Sequence, residues 1–300
     1  MLETYQSCTL CPRMCSADRR TSRGFCQAGD TVKIARAALH PWEEPCISGT
    51  NGSGTVFFSG CTLKCIFCQN YTLSHENFGK EVTIERLAEI FLELQEQGAH
   101  NINLVTGTHY LPSIKAALGL ARPQLTSPVV YNSGGYERVE TLREYADYID
   151  IYLPDLKYYD SRLSENYSAA KDYFQKASEA IKEMIRLTGG LTWDPEQPAL
   201  LKKGVVIRHM VLPGAKNDSI RLLHWMKETL PEGKYMVSLM SQYTPYYKSH
   251  LHLEINRRIT SYEYNKVLDT AIELGLVHGY MQEKSSAKEE YTPPFDLSGV

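Results

Sequence analysis

The sequence predicts an α/β fold, an open partial (β/α)6 barrel preceded by a small cysteine-rich N-terminal segment. Six short apolar runs, rich in β-branched residues, alternate with amphipathic stretches along the chain. Such alternation is typical of parallel strands joined by right-handed crossovers. Six units are too few for a closed eight-stranded barrel. With 300 residues and 43% hydrophobic content, the chain is long enough to bury the core that this fold requires.

The individual elements are predicted from apolar periodicity and from residues that start or stop helices. The strands are predicted at residues 55–58, 102–105, 128–131, 149–153, 205–212 and 235–240. One helix begins after Thr83, a typical N-cap, and stops at Gly98. Another begins at Thr260, where Glu263 completes a capping box, and runs to residue 274. The other helices are predicted at residues 111–121, 137–146, 165–187 and 220–230.

The chain is predicted to divide into three parts. Residues 1–50 are rich in cysteine, show little periodicity and form a metal-binding segment. A turn-rich run from Gly49 to Gly54 separates them from the barrel, which covers residues 51–283. Residues 284–300 contain paired serines, paired prolines and mixed charges, and are expected to form a loosely held tail.

Composition excludes several classes of function. The net charge of −3 provides no basic field of the kind that attracts nucleic acids. No apolar run is long enough to span a bilayer, and the N-terminus has no apolar signal region. We therefore expect a soluble cytoplasmic protein without nucleic-acid or membrane partners. Seven of the eight cysteines fall into two tight groups, which indicates metal ligands and not disulfides.

The most informative motif is the group Cys61, Cys65 and Cys68, spaced Cys-x3-Cys-x2-Cys directly after the first predicted strand. A cubane iron–sulfur cluster normally takes four thiolates. Three close thiolates would hold three irons and leave the fourth open to another ligand. An open coordination position is what a metal site needs for chemistry.

This spacing, with the aromatic Phe67 before the last cysteine, resembles the radical S-adenosylmethionine (SAM) enzymes. In that superfamily the open iron binds SAM, and reductive cleavage gives a radical that abstracts hydrogen from a substrate. The resemblance implies that Cys61, Cys65 and Cys68 hold a [4Fe–4S] cluster. It also implies the partial barrel and places Phe67 near the adenine of SAM. A zinc loop or a group of buried thiols is the alternative.

Polar residues follow the second and third predicted strands, where a parallel α/β sheet carries its functional loops. Thr106 and Gly107 stand where many relatives carry Gly-Gly-Glu, but this chain lacks the glutamate. Asn132 and Ser133 offer neutral hydrogen bonds, and Gly134 permits close approach of a ligand. The resemblance makes these residues candidate SAM contacts, and tight turns are the alternative interpretation.

Charged residues follow the fourth strand and lie within the fifth. Asp155 and Lys157 resemble the Asp-x-Lys of pyruvate formate-lyase activating enzymes, where the pair contacts SAM. Arg208 lies in an Arg-x-x-x-hydrophobic-Pro-Gly run similar to one in the same branch. A charged arginine in so apolar a strand is costly unless it is paired. For the first two residues, a surface ion pair is the alternative.

A second cysteine group, Cys8, Cys11, Cys15 and Cys26, gathers four thiols within nineteen residues. Four thiolates can close a structural zinc site or fully ligate an auxiliary iron–sulfur cluster that relays electrons. With its neighbouring residues, the segment resembles the N-terminus of the PflX-like group, radical SAM proteins related to pyruvate formate-lyase activating enzymes.

Residues 40–46 read His-Pro-Trp-Glu-Glu-Pro-Cys and precede the first boundary. A carboxylate pair beside a histidine and a thiol suits catalysis. Cys46 is a candidate extra ligand or hydrogen donor, although a lone histidine or cysteine in a large chain is usually structural.

The resemblance implies a radical SAM oxidoreductase that takes an electron from a donor such as flavodoxin or ferredoxin. Its activating-enzyme branch suggests a glycine of a partner protein as substrate. The alternatives are radical modification of a peptide or small molecule, and a non-enzymatic zinc or electron-transfer module. The sequence does not name the substrate.

Overall fold

A computed structural model describes residues 3–282 and 293–300. Its centre is one ten-stranded sheet, in which nine strands follow the order β10-β9-β8-β6-β5-β4-β2-β1-β3 and β7 pairs with β8. The strands are β1 (Val32–His40), β2 (Ser53–Phe58), β3 (Lys80–Val82), β4 (Ile102–Val105), β5 (Val129–Ser133), β6 (Ile151–Pro154), β7 (Thr192–Trp193), β8 (Leu201–Met210), β9 (Met236–Met240) and β10 (Gly279–Met281).

Helices connect these strands, and the longer ones cover one face of the sheet. They are α1 (Pro45–Ser48), α2 (Tyr71–Ser74), α3 (Ile84–Glu96), α4 (Leu111–Ala121), α5 (Val139–Tyr145), α6 (Ser161–Ser168), α7 (Tyr173–Thr188), α8 (Lys216–Thr229) and α9 (Ser261–Glu273). Within the described ranges, none of them is long and apolar enough to cross a membrane.

The predicted α/β class and partial barrel are confirmed. The six predicted strands correspond to β2, β4, β5, β6, β8 and β9, which lie side by side in chain order and pair in parallel. A seventh parallel strand, β10, extends the sheet beyond β9. Its three half-buried residues are too few to show the periodicity by which the other strands were predicted.

The N-terminal segment adds an antiparallel strand that the sequence analysis missed. Strand β1 pairs with β2 from Ile34 to His40 and with β3 from Val32 to Ile34. Small alanines and interspersed basic residues conceal its alternation in the sequence. The sheet therefore crosses the boundary predicted near residue 50.

The long helix predicted at residues 165–187 is two helices. Helix α6 ends where Ala169 adopts a left-handed conformation with φ of 52°, and α7 begins at Tyr173. An alanine gives no sequence signal for such a break, because glycine or asparagine usually occupies left-handed positions.

The prediction of a loosely held tail is wrong for residues 293–300. The backbone N–H of Leu297 donates to the carbonyl of Ala35, and that of Ala37 donates to Ser298. The Arg36 guanidinium lies 2.7 Å from the Asp296 carboxylate. These bonds fasten the segment to β1, which the sequence analysis had not identified. Residues 284–292 of the predicted tail lie outside the described residues.

Successive side chains of the parallel strands point to opposite faces of the sheet. One face packs against the helices, and the other forms the barrel interior. Cys46 and Ile47 of α1 enter that interior and pack against an apolar layer formed by Val130, Ile151, Leu153, Leu201, Val206 and Met236. Further along the same strand faces the interior becomes polar, with Asn132, Asp155, Arg208 and Ser238. The apolar layer is therefore the floor beneath a polar site.

The capping box at Thr260 provides a test of this fold. Its hydroxyl accepts from the backbone N–H of Glu263 at 3.2 Å, and the Glu263 carboxylate accepts from the Thr260 N–H at 3.0 Å. We expect Thr260→Ala to lower the free energy of unfolding by about 1 kcal/mol. Thr260→Ser, which keeps the acceptor, is the control and should stay near wild type. Urea unfolding measures both, and equal stability of the two variants would contradict the cap.

Candidate active site

A cavity of about 260 Å³ opens at the carboxyl ends of the parallel strands. This is the position at which parallel α/β sheets carry their sites. The predicted residues that line it are Cys61, Cys65, Phe67, Cys68, Thr106, Asn132, Ser133, Gly134, Asp155, Lys157 and Arg208. Gly107 is the exception among the predicted cofactor contacts. A Cβ there would lie 2.8 Å from Ile114 Cδ1, so Gly107 serves packing.

Each cysteine of the loop after β2 has a hydrogen-bond partner near its sulfur. The backbone N–H of Leu63 donates to Cys61 Sγ at 3.3 Å. The Ser74 hydroxyl donates to Cys68 Sγ at 3.3 Å, and Ser168 Oγ lies 2.9 Å from Cys65 Sγ. Donors of this kind stabilise negative charge on sulfur and tune the clusters that thiolates hold.

The three thiols fit an iron–sulfur cluster better than a single metal ion. Burial raises the pKa of Cys68 to about 11 and also raises that of Cys61. The thiolate forms therefore need the positive charge of bound metal. Among residues 3–282 and 293–300, no three His, Cys, Asp or Glu side chains are placed to hold one metal ion. A cluster distributes its thiolates over separate irons and does not require such convergence.

The break between α6 and α7 positions Ser168 beside the loop that carries Cys61, Cys65 and Cys68, which we call the cluster loop. The backbone N–H of Ile66 donates to the Tyr167 carbonyl at 2.9 Å, which brings the end of α6 across the loop. The Tyr158 hydroxyl lies 2.7 Å from Ser168 Oγ. Sequence reasoning missed this chain of hydroxyl groups, because it depends on the left-handed Ala169.

A network of partly buried charges lines the same cavity as the cysteines. Arg208 Nε donates to Asp155 at 2.9 Å, and Lys157 Nζ donates to the same carboxylate at 2.5 Å. Arg208 Nη2 donates to Asn132 Oδ1 at 2.6 Å. Burial alone would raise the pKa of Asp155, but Arg208 and Lys157 outweigh it and hold that pKa below its usual value. Asp155 and Lys157 therefore line the cavity and do not form a surface ion pair.

Glu43 joins this network from the segment after β1. Arg208 Nη1 donates to its carboxylate at 3.4 Å, and Asn132 Nδ2 donates to it at 3.3 Å. Burial raises the pKa of Glu43, and the nearby Arg208 acts against that shift. The sequence analysis identified the Glu43-Glu44 pair but could not place it, because the placement depends on the missed strand β1.

Backbone conformation is restricted in the loops that border the cavity. Thr106 has φ of 59°, a left-handed conformation that is uncommon for threonine and typical of functional loops. Gly135 has φ of 78°, and a Cβ there would lie 2.0 Å from the Asp155 carbonyl oxygen. This contact requires glycine and holds the β5 and β6 loops together.

The Tyr173 hydroxyl bridges the same two loops. It lies 2.8 Å from the Gly134 carbonyl oxygen and 2.7 Å from that of Asp155, and it accepts from the Lys157 N–H at 3.0 Å. Its contacts show that it fixes the backbone on which Asp155 and Lys157 stand.

The second cysteine group lies against the first. Cys8, Cys11 and Cys26 are buried and Cys15 is exposed. The carbonyl oxygen of Cys26 lies 2.6 Å from the position of a Cβ at Gly60, the residue before Cys61. Since no three ligands converge on one ion in the described ranges, zinc binding there requires the thiols to turn toward one another.

A cation also joins the N-terminal segment to the cluster loop. Arg13 Nε donates to the Thr62 carbonyl at 3.0 Å, and Arg13 Nη1 donates to the Ala169 carbonyl at 2.6 Å. The N-terminal segment is therefore one wall of the site and not a separate module.

Cys46 does not line the cavity. It is 1% exposed and belongs to the apolar floor, where burial raises its pKa to about 12. Its place in the floor, outside the cavity lining, does not bring it next to Cys61, Cys65 and Cys68 as an extra ligand or hydrogen donor.

Comparison with known proteins identifies related chains. The family model of the radical SAM superfamily matches residues 55–226. The uncharacterized protein MJ0674 of Methanocaldococcus jannaschii is 30% identical over 277 residues, which cover 89% of this chain and 75% of the relative.

Similar solved structures include SuiB of Streptococcus suis bound to its precursor peptide SuiA, with 13% identity and a TM-score of 0.47 over 74% of this chain. Methylornithine synthase (PylB) has 16% identity and a TM-score of 0.48 over 71% of this chain. The chain spans 46% of the SuiB structure and 59% of the PylB structure.

Removal of the Tyr173 hydroxyl tests the bridge between the two loops. We expect Tyr173→Phe to lower the free energy of unfolding by about 1–3 kcal/mol, because the Lys157 N–H loses its buried acceptor. Tyr262→Phe is the matched control, since that side chain is 69% exposed and should tolerate the change. Urea unfolding compares the two variants, and equal losses would show that the bridge contributes nothing.

Proposed function

This chain belongs to the radical SAM superfamily, and from that premise we propose that it cleaves SAM reductively at a [4Fe–4S] cluster and abstracts hydrogen from a substrate. One observation carries the proposal. The three cysteines of the loop line the same cavity as the charged residues Asp155, Lys157 and Arg208. A set of thiols that can hold a cluster thus faces groups that can hold a zwitterionic ligand.

Cluster and SAM, when bound, would supply the chemistry, which is reductive cleavage of SAM and abstraction of hydrogen from the substrate, with methionine and 5′-deoxyadenosine as products. The protein's part is to position both groups. Cys61, Cys65 and Cys68 would bind three irons. Ser74, Ser168 and the Leu63 N–H would stabilise the thiolates.

The other predicted contacts would bind SAM. Asp155 and Lys157 offer charges opposite to those of an amino-acid ammonium and carboxylate, and Arg208 offers a second cation. Asn132 and Ser133 would donate to hydroxyl or carboxylate oxygens, and Thr106 and Gly134 lie beside them.

Phe67 packs against Tyr243 with ring centroids 5.7 Å apart, which provides an aromatic surface for adenine. Apolar Leu63, Met210, Leu212 and Met240 would exclude water.

Two substrate classes follow from the sequence. The Asp-x-Lys and Arg208 runs favour the glycine α-carbon of a partner protein, as in pyruvate formate-lyase activating enzymes. The alternative is radical modification of a peptide or small molecule, which the carboxylate of Glu43 inside the cavity favours because a glycine backbone carries no charge to pair with it. A flavodoxin or ferredoxin would supply the electron, in a cytoplasm whose reducing conditions keep the cysteines as thiols.

We also propose that Cys8, Cys11, Cys15 and Cys26 form a second metal site. The contact between Cys26 and Gly60 would place an iron–sulfur cluster there next to the first, in position to relay electrons. Zinc would instead make the segment a structural clasp, held to the cluster loop by Arg13. A module that binds zinc or transfers electrons without SAM chemistry is the non-enzymatic alternative.

Turnover of SAM tests the central proposal. We expect the anaerobically reconstituted protein, given dithionite and SAM, to form 5′-deoxyadenosine, and Cys65→Ala to form none because a cluster ligand is lost. Cys46→Ala is the matched control: it removes a buried thiol outside the cavity and should retain activity. Liquid chromatography quantifies the product. Wild-type protein that holds a full cluster and forms no 5′-deoxyadenosine would refute the enzyme and leave the electron-transfer module.

Metal analysis of a variant with Cys61, Cys65 and Cys68 all changed to Ala tests the second site. Iron and sulfide amounting to one whole cluster would place an auxiliary cluster on the N-terminal cysteines. Zinc alone would identify a structural clasp. We expect one of these metals, and its loss when Cys11→Ala is added. A variant that is folded and free of both metals would refute the second site.

A further inference from the structure

Part of the cavity lining is formed by residues other than the predicted SAM contacts, and one of them, Glu43, is hydrogen-bonded to two of those contacts, Arg208 and Asn132. There the segment after β1 and strand β2 supply His40, Trp42, Glu43 and Phe57, which all line the cavity. We call this group the aromatic end. Trp42 is 54% exposed and stands at the opening, whereas His40 and Phe57 are buried and meet edge to face with ring centroids 6.2 Å apart.

The hydrogen bonds that Arg208 and Asn132 donate to the Glu43 carboxylate are long. Arg208 makes its shorter hydrogen bonds to Asn132 at 2.6 Å and to Asp155 at 2.9 Å. Its contact with Glu43 is 3.4 Å long, and that of Asn132 with Glu43 is 3.3 Å. Glu43 therefore retains acceptor capacity toward a ligand in the cavity.

Charge near Glu43 favours a cationic ligand. Two acidic groups lie near Arg208 here: burial raises the pKa of Glu44 to about 7 and raises that of Glu43, and a bound cation would favour the charged forms of both. Glu44 is 8% exposed, and its Oε2 has no hydrogen-bond partner in the described part of the chain. Burial, with the charge of Arg36, lowers the pKa of His40 to about 4, so this ring is neutral near pH 7 and does not repel a cation.

Rings and a carboxylate around one cavity are the elements that recognise organic cations. Tryptophan and other aromatic faces attract ammonium and guanidinium groups, and a partly desolvated carboxylate pairs with them. We propose that the aromatic end binds a positively charged group of the substrate, an alkylammonium or guanidinium, and that Glu43 determines this specificity. The inference rests on the proposed function, in which the predicted contacts bind SAM.

Calorimetric titration of the anaerobic holoprotein, with cluster and SAM bound, tests the proposal. The probes are n-butylammonium and n-butylguanidinium, compared with neutral 1-butanol and anionic butyrate of similar size. We expect saturable binding of at least one cation and none of the other two probes. Glu43→Gln should weaken cation binding by about tenfold or more, because the ligand loses a charged acceptor. Glu81→Gln, at an exposed position of β3, is the control and should bind as wild type does.

A second variant tests the proposal independently, in case Glu43→Gln does not fold. Trp42→Ala removes a half-exposed ring without opening the core and should weaken cation binding several-fold through the lost cation–π contact. The affinity for SAM is measured on every variant. If Glu43→Gln weakens SAM binding and cation binding alike, Glu43 belongs to the SAM site and the proposal is wrong.

The two proposals fail in different ways. Wild-type protein that forms 5′-deoxyadenosine but binds neither cation overturns the specificity inference and leaves the enzyme intact. Equal binding of butylammonium and butanol also overturns it, because charge then plays no part. Protein that holds its cluster, forms no 5′-deoxyadenosine and binds no probe overturns both.

Discussion

The partly buried guanidinium of Arg208 connects four parts of the chain. It extends from β8 to Asp155 at the end of β6, to Asn132 on β5 and to Glu43 after β1. A charge removed from water needs such partners, because an unpaired buried ion costs several kcal/mol. The strands and the N-terminal segment must therefore meet at this point for the arginine to be tolerated. The cavity opens beside it, so the most constrained part of the interior is also the candidate site.

The parallel core could be predicted from local sequence patterns, whereas contacts that depend on long-range packing could not. Apolar runs and helix caps predicted the six strands β2, β4, β5, β6, β8 and β9 and the box at Thr260, because each is encoded within a few residues. Strand β1 carries alanines and basic residues, and only its pairing with β2 defines it. The position of Glu43 follows from that strand, and the position of Ser168 follows from an alanine in an unusual conformation.

The N-terminal segment is part of the site and not an appendage to it. Within this segment, Cys26 lies against Gly60 and strand β1 pairs with β2. Glu43, which follows β1, lines the cavity. Residues 293–300 then fasten to the outer side of the same strand. The two cysteine groups, separate motifs in the sequence, are thereby brought close at the backbone contact between Cys26 and Gly60.

The apolar floor has a consequence for how ligands reach the site. Cys46 and Ile47 close the barrel interior together with side chains that are almost fully buried. In the part of the chain that the structure describes, ligands of the cavity therefore enter and leave on the side of the strand carboxyl ends, where Trp42 is among the lining residues. Substrate, SAM and products would therefore all pass on the same side of the sheet, the side on which the cysteines lie.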